Sequence, residues 1–427
     1  MHAHAHGHSH GGPSDPTVVR AVLAVIVPLA VATLAALLWM WPGEVKAGGT
    51  GAEGMTKVGG TIVDIDLKPC PRPAAPPGAW PAAEPGAAPR PTDPRRCGNA
   101  HVRMEDGAQA GRVVTVALPD GPGTQTFATG DDVVLLHLPG GGPGAEPGPE
   151  GSSPYQLSDH DRSTGLWLIG AAFALAVVAF GRWRGLTALV GLAVTFGLLL
   201  TFLIPAILNG SPPLAVAIVC AAAIMLAVLY LTHGFSVATS IAVIGTLASL
   251  ALTGLLAWLS IRLTHLSGIT DDSSLNLDLG YQISTQGLLL ASIIIGSLGV
   301  LDDVTVTQSV TVTELARANP SYGFGRLYRA AARVGRAHIA SVINTIILAY
   351  AGASLPLMLL FTVGRQPLGE VVTGPIIAQE IVRGAAGTVG LIAAVPITTA
   401  LAAFAVSRRA ARDAEAPAVP QPAGSGM

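Results

Sequence analysis

The residues of this chain whose types and spacing could support chemistry are concentrated in "LDDVTVTQSVTVTEL", residues 301 to 315, directly after the apolar run "GLLLASIIIGSLGV". Two adjacent carboxylates, Asp302 and Asp303, are followed by a ladder of hydroxyls and then by Glu314. The ladder alternates like a strand, but a lone strand cannot meet its backbone hydrogen bonds at membrane depth, which leaves a helix as the economical continuation. On a helix Asp303, Thr307 and Thr311 follow at i+4 steps and Glu314 comes three later, so the four form one polar stripe. Such a stripe is suited to lining a water-filled path, to passing a cation or a proton, or to hydrogen-bonding with a neighbouring helix. Its alternative is a solvated extension that ends at "RANPSYGFG", with Glu314 and Arg317 as a surface pair.

Two further polar groups interrupt apolar runs. "AHIASVINTIILAYAGASLPLMLLF" carries Ser341, Asn344, Thr345, Tyr350 and Gly352. Ser341, Thr345 and Gly352 suit a seam of close helix packing, while Asn344, with both a donor and an acceptor, is the more pointed path candidate. "GPIIAQEIVRGAAGTVG" places Glu380 and Arg383 at i, i+3, behind Pro375 in a first helical turn and ahead of Gly384, Gly387 and Gly390. The path candidates are therefore Asp302, Asp303, Thr307, Thr311, Glu314, Asn344, Thr345, Tyr350, Glu380 and Arg383.

The elements that must position them are membrane helices. Half of the 427 residues are apolar and 12% are charged, against about 25% in soluble proteins, and the mean hydropathy is +0.55. A hydrocarbon core of about 30 Å needs about 20 helical residues. Eight apolar runs approach that length: Val18 to Met40, Gly165 to Gly181, Leu186 to Leu208, Pro212 to Leu231, Phe235 to Ser260, Ile283 to Leu301, Ala337 to Phe361 and Ala385 to Val406. In the sixth, Gly287 to Leu301 covers only about 22 Å at 1.5 Å per residue. Completing it with "ISTQ" leaves Asp302 and Asp303 at the cytoplasmic boundary, which avoids a cost of about 2.5 to 3.5 kcal/mol for each carboxylate near the centre.

An inside N-terminus places Arg182, Arg184, the cluster Arg317 to Arg336 and Arg408, Arg409 and Arg412 on the cytoplasmic side. Both termini are then cytoplasmic, residues 41 to 164 are extracytoplasmic, and the chain is expected in a bacterial cell membrane. The first run exceeds the usual 7 to 15 residues of a signal core. An uncleaved anchor is thus favoured over a signal peptide cut after "EVKA".

The expected organisation is a His-rich cytoplasmic tail (1–17), a first anchor (18–40), a β-rich extracytoplasmic domain with a Pro-rich insert (41–138), a Gly/Pro-rich linker (139–164), a seven-span membrane domain (165–406) and a cytoplasmic tail (407–427). In the outer domain "KVGGTIVDIDL", "HVRMED", "GRVVTVALPDG", "TQTFA" and "DDVVLLHL" alternate apolar and polar residues between turn signals, as strands of a small closed barrel of the OB or SH3-like type would. Cys70 and Cys97 bracket the Pro-rich insert. They are candidates for a disulfide of about 3 kcal/mol, the alternative being two unpaired surface thiols. Cys220, within a span, reads as an inert packing residue.

His2, His4, His6, His8 and His10 occupy alternate positions. They can bind a divalent metal in a disordered tract, although that spacing sets no fixed tetrahedral geometry. No other cofactor is expected. The net charge of -2 and the lack of a basic stripe exclude a nucleic-acid partner. The expected surroundings are the lipid bilayer and an unidentified small solute or ion, with a second copy or a membrane partner left open.

Together "GSLGVLDDVTVTQSVTVTELARANP", "HIASVINTIILAYAGASLP" and "AQEIVRGAAGTVGLIAAVPITTAL" resemble the YibE/F family of bacterial membrane proteins over roughly residues 160 to 408. The family pattern, a Gly-rich span ending in Asp, an Asn-Thr with Ala-Tyr-Gly in the next, and a Glu-x-x-Arg before a Gly and Pro-containing span, falls on Asp303, on Asn344, Thr345, Tyr350 and Gly352, and on Glu380 and Arg383. The resemblance implies a polytopic helical bundle with a permease-like layout and no settled activity. A permease-like transporter is thus the leading expectation, and a non-transporting scaffold or sensor whose outer domain binds a partner is the alternative. No GxSxG, HExxH, P-loop or CxxC motif is present, so an enzyme is not expected.

Overall fold

The computed structural model describes residues 16–43, 56–68, 97–107, 109–119, 124–137, 153–269, 282–364 and 367–415. The expected metal ligands His2, His4, His6, His8 and His10, and Cys70, lie outside them. The chain divides into two compact units, residues 49–176 and residues 1–48 with 177–427.

The smaller unit is a five-stranded antiparallel sheet of β1 (Thr56–Leu67), β2 (Gly98–Met104), β3 (Val113–Ala117), β4 (Asp132–His137) and β5 (Tyr155–His160), ordered β3-β2-β1-β4-β5. Period-2 alternation turns Val58, Ile62, Val102, Met104, Val116, Val133, Leu135 and Leu157 into one apolar core, as a sheet covered on one face requires. The expected closed barrel is instead a curled half-barrel: β3 and β5 are the two ends of the sheet, close together but without a ladder between them among the described residues. "TQTFA" is not a strand. Its end is drawn into a turn, where the Ala128 N–H donates to Asp131 Oδ2 at 2.7 Å and the Asp131 N–H to the Ala128 carbonyl at 3.1 Å. The fifth strand is "YQLSDH", inside the expected linker, with Tyr155 and Leu157 facing the core. Cys97 is disulfide-bonded.

The larger unit holds α1 (Pro16–Trp39); the end of α2 (Ser163–Gly181); α3 (Trp183–Leu198), continuing through a π-turn at Leu199–Leu203 into α4 (Ile204–Leu208); α5 (Pro213–His233); α6 (Val237–Thr264); α7 (Thr285–Ala318); α8 (Phe324–Ala353); α9 (Leu355–Val363); α10 (Leu368–Thr373); and α11 (Pro375–Glu415). Among the described residues eight helical segments are long and apolar enough to cross a membrane, in the expected order. α7 is one helix of 34 residues, about 51 Å at 1.5 Å per residue. It runs unbroken through Asp302 and Asp303, so the continuation expected from the backbone argument holds.

Burial is uneven. α2 has no buried residue and exposes Leu166, Trp167, Phe173 and Phe180, surface that a hydrocarbon solvent accepts and water does not. α6, α7 and α11 each pack against the other two and form the centre. Local chemistry fixes their ends. Ser236 caps α6 by accepting the Thr239 N–H at 3.0 Å, and Ser284 caps α7 by accepting the Gly287 N–H at 3.1 Å. The Thr285 hydroxyl and Gln286 amide then donate to the carbonyls of Ser267 and Leu266, both at 2.7 Å, tying the start of α7 to the end of α6.

Candidate functional site

A polar seam runs through the centre of the trio. Thr246, Ser249 and Thr253 of α6, Thr305, Gln308 and Ser309 of α7, and Thr398 and Thr399 of α11 are all fully buried. Steps of three and four put Thr246, Ser249 and Thr253 on one helix face, and Gln308 and Ser309 lie three and four residues from Thr305; Thr398 and Thr399 are neighbours on α11. The Thr246 and Thr305 hydroxyls lie 2.5 Å apart. Ser309 donates to the Ala238 carbonyl at 2.7 Å, and Thr399 to Gln308 Oε1 at 3.0 Å. Thr246, Ser249 and Thr253 also donate back to the carbonyls of Ala242, Gly245 and Ser249 at 2.9, 2.8 and 2.9 Å.

Glycines let these helices meet. A methyl on Gly245 would overlap the Thr398 hydroxyl, and one on Gly390 would overlap Thr253 Oγ1. Gly335 of α8 backs directly onto the Gln308 side chain. Despite this packing the seam is not saturated, since Gln308 Nε2 and Thr398 Oγ1 have no hydrogen-bond partner. A buried polar atom left so costs about 1 to 3 kcal/mol.

A second polar locus lies nearer the start of α11. Arg383 Nη1 donates to Glu380 Oε1 at 2.9 Å, and Nη2 reaches Ser292 Oγ of α7 at 3.5 Å. Arg383 also lines a narrow cleft with Ser297 and Gly296 of α7, Tyr350 of α8, and Gly384 and Gly387 of its own helix. The Cβ position of Gly387 is 3.1 Å from Ser297 Oγ, so glycine is what brings the two backbones together here. Arg383 Nε is buried without an acceptor, as is Nε2 of Gln379, one turn earlier.

A family model described as YibE/F-like protein matches residues 169–408, which hold both loci. The chain belongs to the YibE/F-like family. No curated protein and no solved structure matches it. In this YibE/F-like protein α1 and the sheet lie outside the matched span.

The sequence-derived path residues do not converge as a group. Tyr350 and Arg383 meet in the cleft, with Glu380 paired beside them. The stripe expected on α7 has the wrong phase for the bundle centre: Asp303 and Glu314 are exposed and Thr307 and Thr311 half-buried. Thr311 bonds back to the Thr307 carbonyl at 2.7 Å, and Glu314 takes Arg317 at 2.6 Å, which is the surface pair of the alternative reading. Asp302 is half-buried, and its carbonyl accepts the Thr305 hydroxyl at 3.1 Å. Asp303 and Arg184 both lie within electrostatic reach of His233. Asn344 and Thr345 are exposed on α8, with Thr345 bonded back to the Ser341 carbonyl at 3.1 Å. Among the described residues no group of three or more His, Cys, Asp or Glu side chains is placed to hold a metal ion.

Sequence reasoning missed Gln308 and the hydroxyls of α6 and α11. The signal was the recurrence of Thr246, Ser249 and Thr253 at steps of three and four in a span without charges. Matched to Thr305, Gln308 and Ser309, it would have turned the helix face of α7 away from Asp303.

Proposed function

We propose that this YibE/F-like protein is a permease-like transporter of a small solute or ion, with its path along the seam between α6, α7 and α11. The observation that carries this reading is the burial of eight hydroxyl and amide side chains at the meeting of three apolar helices, two of them with polar atoms left unpaired. Polar groups inside membrane helices are costly unless they serve packing or a path, and unpaired ones do not serve packing. Pro396 inside α11 supports it as well. Proline has no N–H for the carbonyl four residues back, so α11, although unbroken, carries a carbonyl at Ile392 without its helical donor.

The distribution of arginine supports a bacterial cell membrane location with both termini cytoplasmic and residues 41 to 164 outside. Asn344 and Thr345 are exposed beside Ile347 and Leu348, which supports a protein neighbour at α8, a second copy included. The glycine-to-threonine approaches at Gly245 and Gly390 favour the second reading, a static scaffold whose outer sheet binds a partner.

Flux separates the two readings. Liposomes containing the protein and reporters for pH, halide and divalent cations are compared with liposomes containing Gln308→Ala and Thr398→Val variants of normal size-exclusion behaviour. Flux that falls at least tenfold in both variants is expected. No flux from the wild type across the panel would leave the scaffold reading in place.

A further inference from the structure

In the span expected to cross the bilayer, α8 carries an amide with nothing to bond to. Asn344 is exposed, and its side chain has no hydrogen-bond partner among the described residues. In water this would be ordinary. Residues 337–364, however, hold no Asp, Glu, Lys or Arg. Asn344 lies two turns beyond Arg336, about 12 Å along the helix at 1.5 Å per residue. With about 15 Å from either edge of the hydrocarbon to its middle, the amide sits among lipid chains that offer neither donor nor acceptor. Its neighbour Thr345 avoids that state by returning its hydroxyl to the Ser341 carbonyl at 3.1 Å.

The residues around Asn344 form a seam. Ala337, Ser341, Asn344, Leu348 and Gly352 follow at steps of four, three, four and four, share one face of the helix and are all exposed. Mixed steps of three and four are the spacing of a two-stranded coiled-coil contact. Ala337 and Ser341 are small, and the Cβ position of Gly352 has nothing within 4 Å, which leaves room for a facing helix to approach closely.

Two copies inserted with the same orientation are related by a two-fold axis along the membrane normal, which sets α8 parallel to its counterpart and each seam position against itself. A carboxylate or an arginine there would meet a like charge. An amide carries both donor and acceptor and is satisfied by its own copy, and one asparagine in an apolar seam is a means of fixing register and partner number. We propose that this face of α8 is the interface of a parallel homodimer in which the Asn344 side chains of the two copies bond to each other. The interface rests on the membrane placement of α8 but not on transport between α6, α7 and α11.

The test uses the full-length protein in liposomes of neutral lipid, with no solute gradient, so its outcome is independent of flux. Donor-labelled and acceptor-labelled copies should show energy transfer above the random level on dilution into lipid. Asn344→Leu should weaken that association about tenfold, and Asn344→Gln should fall between the two. Under oxidation, Asn344→Cys and Leu348→Cys should each cross-link to a dimer several-fold faster than Ile347→Cys, since Ile347 is also exposed but lies off the seam. Cys220 is buried and Cys97 already bridged, and the wild type gives the background. All these positions are exposed, so the substitutions leave the fold of the single chain in place. Random-level transfer in the wild type, association of Asn344→Leu equal to wild type, or Ile347→Cys cross-linking as fast as Asn344→Cys would overturn the interface.

Discussion

Gly335→Ala tests whether α8 is locked onto the seam. A methyl at this position would stand 2.6 Å from Val395 Cγ1, 2.7 Å from Gln308 Nε2 and 2.9 Å from Gln308 Cδ. Val395 and Gln308 are both buried, so neither can swing into solvent. Overpacking a tight core costs about 1 to 3 kcal/mol. Alanine returns about 1 kcal/mol of helix propensity relative to glycine, which leaves a net loss of about 1 kcal/mol. Gly299→Ala is the control, because nothing lies within 4 Å of a Cβ there, and it should stabilise by the propensity alone. The assay is the thermal midpoint of the detergent-solubilised protein, read by size exclusion. In a double-mutant cycle, trimming the neighbour with Gln308→Ala should relieve the clash, with a coupling of about 1 kcal/mol between the two sites. A Gly335→Ala midpoint that rises as far as that of Gly299→Ala would refute the close approach of α8 to Gln308. Absence of coupling would show that the seam amide is not what the methyl meets.

Thr246→Val and Thr305→Val each remove one hydroxyl of the pair at 2.5 Å; each should cost about 1 kcal/mol, and the double variant less than their sum, as thermal midpoints would show. In the outer sheet, the hydrogen bond from Arg162 and then that from Gln125 hold the Asp159 carboxyl well below the usual carboxylate range. A depressed carboxylate stabilises the fold above the unfolded value of about 3.9, and that contribution is lost as pH falls below it. Asp159→Asn should therefore flatten the acid limb of the sheet's stability curve, a small effect because the pair is exposed, measured by circular dichroism of the full chain between pH 6 and pH 2. Reductant should lower the outer domain's midpoint in wild type but not in Cys97→Ser, since Cys97 is disulfide-bonded and such a bond contributes about 2 to 4 kcal/mol. Glu314→Gln breaks only an exposed ion pair and should move stability by under about 1 kcal/mol, whereas a path residue there would also change flux.

The parts of this protein that could be read from sequence are those whose physics is local. Span lengths follow from hydrocarbon thickness, and the helical continuation through Asp302 and Asp303 follows from the demand for backbone hydrogen bonds. The alternation of Val58 with Ile62 and of Val102 with Met104 marks a sheet face. "YQLSDH" escaped because a Gly/Pro-rich run precedes it and because only Tyr155 and Leu157 carry its pattern. The phase of α7 escaped for a deeper reason. In water the apolar face of a helix points inward, so one strong residue sets the phase; in lipid an apolar residue is equally at home on either face. Val310 is exposed and Val312 fully buried, two residues apart and indistinguishable by type. Charge does not resolve the ambiguity, because α7, at 34 residues, is longer than the hydrocarbon core and Asp303 and Glu314 lie in its second half, which can extend beyond the hydrocarbon. Small uncharged polar residues do resolve it, since a threonine can return its hydroxyl to its own backbone and enter a dry interior at low cost. In such a bundle the interior is written in serine, threonine, glutamine and glycine, and the coincidence of that pattern on α6, α7 and α11 locates the centre better than the most polar residue on any one of them.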